Sequence, residues 1–153
     1  MPLVKPAGKL FMMFPQIRCF HSSVNEQPFM FFILSKGDNA GKPGLVPWAN
    51  CFAVHFSNQQ TFDFYFWLVY GLYKAGKFKS RLRGSVIPFV NLDDIRTVLK
   101  KTAPSIFQHW QQFQQIMKAL DLLEQSKTTL GQQLVTTENL QRFLIQRFFE
   151  KYE

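Results

Sequence analysis

The sequence contains only two cysteines, Cys19 and Cys51. Two thiols are too few for a disulfide framework, and these two lack the Cys-x-x-Cys spacing that is typical of a zinc site. Because free cysteine is commonly buried, we expect both to be small side chains of the core.

Long apolar runs are also missing. The runs at residues 29–34 and 64–70 are far shorter than the roughly 20 residues that a membrane-spanning helix needs. No basic start followed by a long apolar stretch and a small-residue cleavage site indicates a signal peptide. We therefore expect a soluble, cytoplasmic protein with no membrane partner. A hydrophobic content of 46% with 18 phenylalanines argues against disorder, and 153 residues suffice for one domain with a real core.

Enzyme motifs are lacking as well. His21, His55 and His109 lie far apart and form no HxxxH or HExxH arrangement, so no metal site is expected. There is no GxSxG elbow, no phosphate-binding loop and no glycine-rich loop for a methyl-transfer cofactor. Asp93 and Asp94 could serve a nuclease, but carboxylates in the first turn of a helix have an ordinary explanation in the helix dipole. We expect no enzymatic activity, no cofactor and no metal.

Acidic residues are scarce in the first half of the chain. Residues 1–84 hold ten Lys or Arg against three acids, whereas residues 85–153 hold eight against seven. Residues 74–83 contain five cations and no acid. Five like charges repel one another, so this stretch is either a solvated face or a surface that meets an anion. A polyanionic partner would bind the first half.

Short apolar runs between proline and glycine predict a sheet. The predicted strands are residues 10–14, 16–20, 29–34, 45–47, 50–55 and 86–90. The continuous run at 29–34 indicates a strand that is buried on both faces. Residues 35–44, with three glycines and a proline, are predicted to form a loop.

Two helices are predicted in the same region. Residues 62–75 are aromatic-rich and apolar on most sides, which indicates a largely buried helix, with Thr61 as its N-cap and Gly76 as its stop. A short helix is predicted at 92–99, with Asn91 as its cap.

The last third is predicted to be helical from Pro104 onward. Gly131 is predicted to interrupt the helix, and Thr136 or Thr137 to cap a final one. An apolar seam has spacings of four, three, four and three residues, which is typical of a coiled coil. Its members are Ile106, Trp110, Phe113, Met117 and Leu120. We therefore expect an α+β fold: a small mixed or antiparallel sheet with an aromatic-rich helix (residues 1–102), then a long helix or helical hairpin (residues 103–153).

The order of these parts carries a resemblance. A strand and a glycine-containing loop (31–41) precede a strand with a small polar entry (49–54), an aromatic helix (64–68), a basic segment with a Gly-Ser turn (81–85) and a capped short helix (90–95). A long helix follows Pro104 and ends in a Leu/Phe-rich tail (144–149). Over roughly residues 29–153 this order resembles the later part of a target recognition domain from the specificity subunit of type I restriction-modification enzymes.

The resemblance implies sequence-specific binding of double-stranded DNA by a non-catalytic subunit. Its C-terminal helix would dock a DNA methyltransferase or a second copy of the chain, through the seam from Ile106 to Leu120. The full subunits of that family carry two recognition domains and two spacer helices. This chain holds one of each, so a half-length form would have to form a homodimer.

The basic residues of the chain are of the types that bind DNA. Basic side chains contact phosphates, whereas an arginine fork can also read guanine, so Arg81 and Arg83 are the expected base readers. The predicted DNA-binding residues are Lys36, Lys42, Lys74, Lys77, Lys79, Arg81 and Arg83. The alternative is a helical assembly protein with no nucleic-acid role, whose basic surface serves solubility or an acidic protein partner.

Overall fold

The computed structural model of the chain describes residues 14–21 and 27–152. Four antiparallel strands form one sheet in the order β1-β4-β2-β3. The strands are β1 (Gln16–Cys19), β2 (Met30–Leu34), β3 (Pro43–Gly44) and β4 (Cys51–His55). The helices are α1 (Gln59–Lys74), α2 (Leu92–Gln108) and α3 (Trp110–Tyr152), with a 3-10 turn at Lys79–Arg81. The predicted α+β class is confirmed.

β2 and β4 are central strands because their side chains are apolar on both faces. Phe31 pairs with Val54, and Phe32 pairs with Ala53 on the opposite face; all four side chains are buried. The Phe31 ring lies 5.4 Å from the ring of Phe66, so α1 covers this face of the sheet. The burial of residues 29–34 on both faces, which the continuous apolar run predicted, is confirmed in β2.

The other face of the sheet carries a smaller apolar cluster. Phe32 and Cys51 belong to it, and Phe20 and Trp48 pack against it from loops. The Cys51 Sγ donates a hydrogen bond to the Trp48 carbonyl at 3.0 Å, and burial raises the pKa of the Cys51 thiol. Cys19 is exposed, so the prediction that both cysteines are buried is wrong for this residue. Cys19 ends β1, which is an edge strand of the sheet among the residues that the structure describes.

α1 begins three residues earlier than the sequence pattern predicted. Asn58 is its N-cap, and the Asn58 Oδ1 accepts hydrogen bonds of 2.9 Å from both the Thr61 backbone N–H and the Thr61 hydroxyl. Thr61, predicted to be the cap, is a buried first-turn residue. The predicted stop at Gly76 is confirmed: its φ is +69°, which favours glycine at the end of a helix.

α2 is longer than the predicted helix at residues 92–99. Asn91 takes the N-cap position as predicted, but its side chain makes no capping hydrogen bond. Pro104 lies inside α2 rather than opening the last helix. The extension is stabilised by tertiary packing, because Ala103 is buried and the Phe107 ring lies 6.3 Å from the ring of Phe64.

Three predicted strands need separate comment. Residues 45–47 are not a strand, since the short strand β3 lies just before them. Residues 86–90 form a turn in which Val86 is 90% exposed. Pro88, Phe89 and Val90 make backbone hydrogen bonds with other segments, but they form isolated bridges and no strand. Apart from Phe14, the strand predicted at 10–14 lies outside the described residues.

α3 is one unbroken helix, so the predicted interruption at Gly131 is wrong. The Thr136 and Thr137 hydroxyls donate hydrogen bonds to the carbonyls of Gln132 and Gln133, at 3.0 and 2.9 Å. These bonds run back along the same helix, and neither threonine caps a new one. Of the two outcomes that the sequence left open, the long helix is the observed one.

The chain divides into two units, Met1–Phe113 and Gln114–Glu153, rather than after residue 102. The first unit extends further because the start of α3 belongs to its core: the Phe64 ring stacks on Trp110 at 5.6 Å and contacts Phe113 at 5.6 Å. Within the described residues, no helix is both long enough and apolar enough to cross a membrane.

Candidate nucleic-acid interface

The basic segment, residues 74–83, begins where α1 ends. The Lys77 backbone N–H donates to the Leu72 carbonyl and the Gly76 N–H to the Tyr73 carbonyl, both at 3.0 Å. This paired pattern with glycine in the left-handed region is a Schellman motif, which reverses the chain direction. Lys77 and Lys79 then lie on either side of Phe78 in the chain and are exposed, while Phe78 is buried. A single apolar anchor therefore holds two exposed lysines in place.

The loop at residues 35–44 packs directly against this segment. A Cβ placed on Gly41, whose φ is +94°, would lie 2.5 Å from Cδ2 of Phe78. The Tyr73 hydroxyl donates a 2.8 Å hydrogen bond to Oδ1 of Asn39 in the same loop. Lys42 follows Gly41 and is exposed. The fold therefore brings Lys42 beside the basic segment, from which it is separated by more than thirty residues in the sequence.

Lys36 reaches the same region through a different contact. Phe89 forms antiparallel bridges with Lys36 on one side and with Arg83 on the other. The Arg83 and Phe89 backbones exchange two hydrogen bonds of 2.9 Å, and the Gly37 N–H donates to the Pro88 carbonyl at 2.8 Å. Phe89 thus joins the start of the loop to the end of the basic segment.

The two arginines are already paired within the chain. The Asp94 carboxylate forms ion pairs with both: its Oδ1 lies 3.4 Å from Nη1 of Arg81, and its Oδ2 lies 3.2 Å from Nη2 of Arg83. From the sequence, Asp94 was expected to interact with the dipole of α2, with a nuclease carboxylate as the other possibility, and this pairing was not foreseen. No sequence signal indicated it, because more than ten residues separate Asp94 from either arginine. Arg83 keeps 59% of its side chain exposed.

All seven predicted DNA-binding residues therefore belong to two adjoining segments, which we call the cationic surface. Its members are Lys36, Lys42, Lys74, Lys77, Lys79, Arg81 and Arg83. The Lys74 Nζ lies 5.4 Å from the centre of the Tyr70 ring. Two acids accompany these cations: Asp94, and Asp38 in the loop, which is exposed. The excess of positive charge at this surface is five, from seven cations and two carboxylates.

Sequence reasoning missed a second group of cations near the sheet edge. Arg18, Arg96 and Lys100 line an open groove of about 620 Å³ between β1 and α2. Arg96 is held there by a 2.8 Å hydrogen bond to the Ile17 carbonyl and by an ion pair with Asp93 at 3.1 Å. A neighbouring groove of about 470 Å³ includes both Arg96 and Lys36 in its walls. These cations are scattered along the sequence, so no local charge run indicated them.

No metal site is visible in the described part of the chain. Residues 14–21 and 27–152 contain no group of three or more His, Cys, Asp or Glu side chains that could hold a metal ion. Asp93 and Asp94 each face an arginine. Burial, with the Arg18 charge as the smaller cause, lowers the pKa of His55 in a third groove.

Comparison with known protein families gives one match. The chain belongs to the DUF6943 family. The family is described as one of unknown function, and its profile matches residues 17–147, a range that covers the cationic surface and most of α3. No curated protein and no solved structure matches the chain. The description of the family does not mention DNA, so the resemblance to type I target recognition domains stays a prediction.

The five residues of the predicted helix seam, Ile106 to Leu120, do not form one exposed face in the structure. Ile106 lies on α2, because the chain leaves helical geometry at His109, so the seam does not run along one helix. Trp110 and Phe113 are covered by the chain's own core, and Met117 is also buried. Leu120 is half-buried. The large exposed apolar side chains of α3 come mostly after this seam.

Proposed function

We propose that this protein is a non-catalytic module that binds double-stranded DNA through the cationic surface. The observation that carries the proposal is the junction of the loop and the basic segment. Phe78 packs on Gly41 and Phe89 bridges Lys36 and Arg83, so cations from two separate parts of the sequence lie in adjoining segments. Solvated charge runs need no such tertiary support.

The electrostatics of the surface favour a polyanion. Within the described part of the chain, Lys36, Lys42, Lys77 and Lys79 form no ion pair with a carboxylate. Concentrating like charges raises the free energy of the folded state, and a phosphate backbone would relieve this repulsion on binding. Lysines on flexible stems suit phosphate contacts, which set the position of the protein on the duplex.

The arginines are proposed to act differently from the lysines. Asp94, which lies on α2, forms ion pairs with both Arg81 and Arg83, and Arg83 remains more than half exposed. Carboxylate pairing fixes the orientation of a guanidinium and leaves part of its donors available. Base reading by these two residues stays a prediction. A selection from a random duplex pool that enriches no sequence would restrict the proposal to non-specific binding.

The resemblance to type I specificity domains adds one further partner. A protein of that kind delivers its DNA target to a methyltransferase subunit, so the extended form of the proposal is that this chain binds such an enzyme. DNA binding by the cationic surface does not depend on that extension.

The test compares two triple variants by duplex binding over a range of salt concentrations. Lys42, Lys77 and Lys79 are all exposed and become alanine in the first variant. Each phosphate contact contributes about 0.9 to the slope of log affinity against log salt, so the slope should fall by about 3. We expect affinity for short random duplexes to fall by about tenfold or more, measured by fluorescence anisotropy.

The control variant changes the same number of exposed cations elsewhere. Lys101, Lys118 and Arg142 are exposed helical residues outside the cationic surface, and their replacement by alanine gives the same change in net charge. Its affinity should stay within about threefold of the original protein. Equal losses in the two variants would show that net charge alone governs binding. Absence of duplex binding at low salt would overturn the proposal.

A further inference from the structure

α3 carries a regular apolar stripe that the rest of the described chain leaves uncovered. Ile116, Leu123, Leu130 and Leu144 follow one seven-residue register, in which Thr137 takes the intervening place. Leu120, Leu134 and Phe148 follow the second register, displaced by four residues from the first. These two registers are the a and d positions of a coiled coil. We call these seven apolar side chains the heptad stripe.

The stripe is exposed along most of its length. Six of its seven members, all except the half-buried Leu120, are between 58% and 64% exposed. Ile145 and Tyr152, which flank the stripe, are 60% and 69% exposed. A row of large exposed apolar side chains of this kind is uncommon on a monomer and usually marks an interaction site.

The composition of α3 also indicates that the helix needs a partner. Thr128, Thr129, Gly131, Thr136 and Thr137 all lie in the middle of the helix. Threonine and glycine are poor helix formers, and most helical stability in proteins comes from packing an apolar face. A helix of 43 residues with this centre is stable only if its stripe is covered.

The area of the stripe matches what a dimer needs. Transfer free energies imply that a Leu-sized side chain buries roughly 60–120 Å² of apolar surface when it is fully covered. About 60% of that surface is still exposed on each of the exposed side chains of the stripe. The six exposed members of the stripe, together with the flanking Ile145 and Tyr152, offer roughly 300–600 Å² in each chain. A standard interface buries about 800 Å² per partner, of which about 65% is apolar in homodimers, or roughly 500 Å².

Charge and length favour a second copy as the occupant. Residues 114–153 contain five Lys or Arg and five Asp or Glu, whereas residues 1–113 contain thirteen against five. An acidic partner would therefore be attracted to the first unit, and two copies of α3 have no net repulsion. The stripe from residue 116 to residue 148 is about 50 Å long, so its partner must present a helical seam of the same length. A second α3 does so.

We propose that α3 pairs with α3 of a second copy of this chain in a two-stranded coiled coil along the heptad stripe. Lys127, Thr137 and Gln141 occupy the remaining a and d places within the stripe. Polar residues at such places fix register and oligomer size at some cost in stability. This inference is independent of DNA binding, because it uses none of the cationic surface.

The test measures the mass of the full chain by analytical ultracentrifugation. The original protein should sediment as a dimer of a chain of 18.0 kDa at micromolar concentration. In one variant, Leu123 and Leu134 become glutamate, which places four charges in the dimer seam. We expect its dimer dissociation constant to rise at least a hundredfold.

The control variant uses the adjacent residues. Leu122 and Val135 are 62% and 56% exposed, close to the values for Leu123 and Leu134, but they lie outside the heptad registers. Their replacement by glutamate adds the same charge to the same turns of α3. The dissociation constant of this variant should change by no more than about threefold. Equal weakening by both variants would overturn the proposal.

A measurement on the original protein keeps the test decisive if a variant misfolds. If the dimer stabilises α3, dilution through the dissociation constant should lower the helical signal in far-ultraviolet circular dichroism together with the mass. A protein that is monomeric at all concentrations, with constant helicity, would overturn the inference.

Discussion

Gly41 forms the tightest approach between the loop and the basic segment. Its φ of +94° lies in the left-handed region, and the space where a Cβ would stand is filled by the Phe78 ring. Gly37, in the same loop, has an almost equal φ of +93° but no atom within 4 Å of its Cβ position. A comparison of the two glycines therefore distinguishes the cost of backbone strain, which both positions share, from the cost of steric contact, which arises only at Gly41.

We expect Gly41→Ala to destabilise the protein much more than Gly37→Ala. A side chain in the left-handed region costs about 1–2 kcal/mol at either position. At Gly41 the displacement of Phe78 adds about 1–3 kcal/mol, as in overpacked cores. The free energies of unfolding from urea denaturation measure both losses. Similar values for the two variants would show that Phe78 moves aside easily and does not fix the loop.

Among single residues, the sequence predicted a set of candidate cations but not their partners within the chain. The basic run was visible as a pattern, and so were Lys36 and Lys42 in their loop. The pairing of Arg81 and Arg83 with Asp94 was not, since it depends on how α2 lies beside the 3-10 turn. The exposure of Cys19 was also missed, because it depends on the position of β1 in the sheet and not on the residue type.

Among the elements, α1 and α2 both begin with asparagine, but only one of these side chains caps its helix. Asn58 Oδ1 accepts two hydrogen bonds from Thr61, whereas the Asn91 side chain makes no capping hydrogen bond. The first turn of α2 instead contains Asp93 and Asp94, whose charges interact favourably with the helix dipole. The two helices thus use different means to stabilise their first turns.

Asn58→Ala should lower the free energy of unfolding by about 1–2 kcal/mol, the upper part of the range for lost N-caps. Asn91→Ala should cost about 0.5 kcal/mol or less, because no side-chain bond is lost. Chemical denaturation of the two variants under identical conditions gives the comparison. A larger loss at Asn91 would contradict the observed difference in capping.

Element prediction succeeded where the signal was continuous. The apolar runs of β2 and β4 and the apolar character of α1 were found within a few residues of their bounds. It failed at residues 86–90, which are apolar enough for a strand but follow a turn at Gly84 and make only isolated bridges and single hydrogen bonds with other segments. It also failed at Gly131, since a glycine costs a helix about 1 kcal/mol, which neighbouring turns can compensate.

For the whole molecule, the charge is concentrated in one unit. Residues 1–113 have a net charge of +8, from thirteen cations and five acids, and residues 114–153 have a net charge of zero. The cationic surface lies in the first unit, so its self-repulsion acts on the stability of that unit whether or not DNA is present.

Salt should therefore stabilise the free protein. Raising the ionic strength from about 0.01 M to about 0.15 M shortens the Debye length from about 30 Å to about 8 Å. A gain of about 1 kcal/mol would raise the thermal midpoint by about 2–4 °C for a chain of this size. Alanine at Lys42, Lys77 and Lys79 should reduce this rise by more than the change at Lys101, Lys118 and Arg142. Thermal denaturation followed by circular dichroism measures the effect, and a midpoint that falls with salt would contradict it.

The amino-acid sequence was enough to predict the α+β class, the central strands, the concentration of positive charge and the helical character of the last third. Each of these follows from composition or from spacing along the chain, which local physics converts directly into structure. Only the tertiary structure decided what covers each face. Trp110 and Phe113 share helical spacing with residues further along α3. They pack against Phe64 in the core, however, whereas most of the heptad stripe is exposed. The reason is that spacing shows which residues lie on one side of a helix, whereas the partner of that side depends on segments that are distant in the chain.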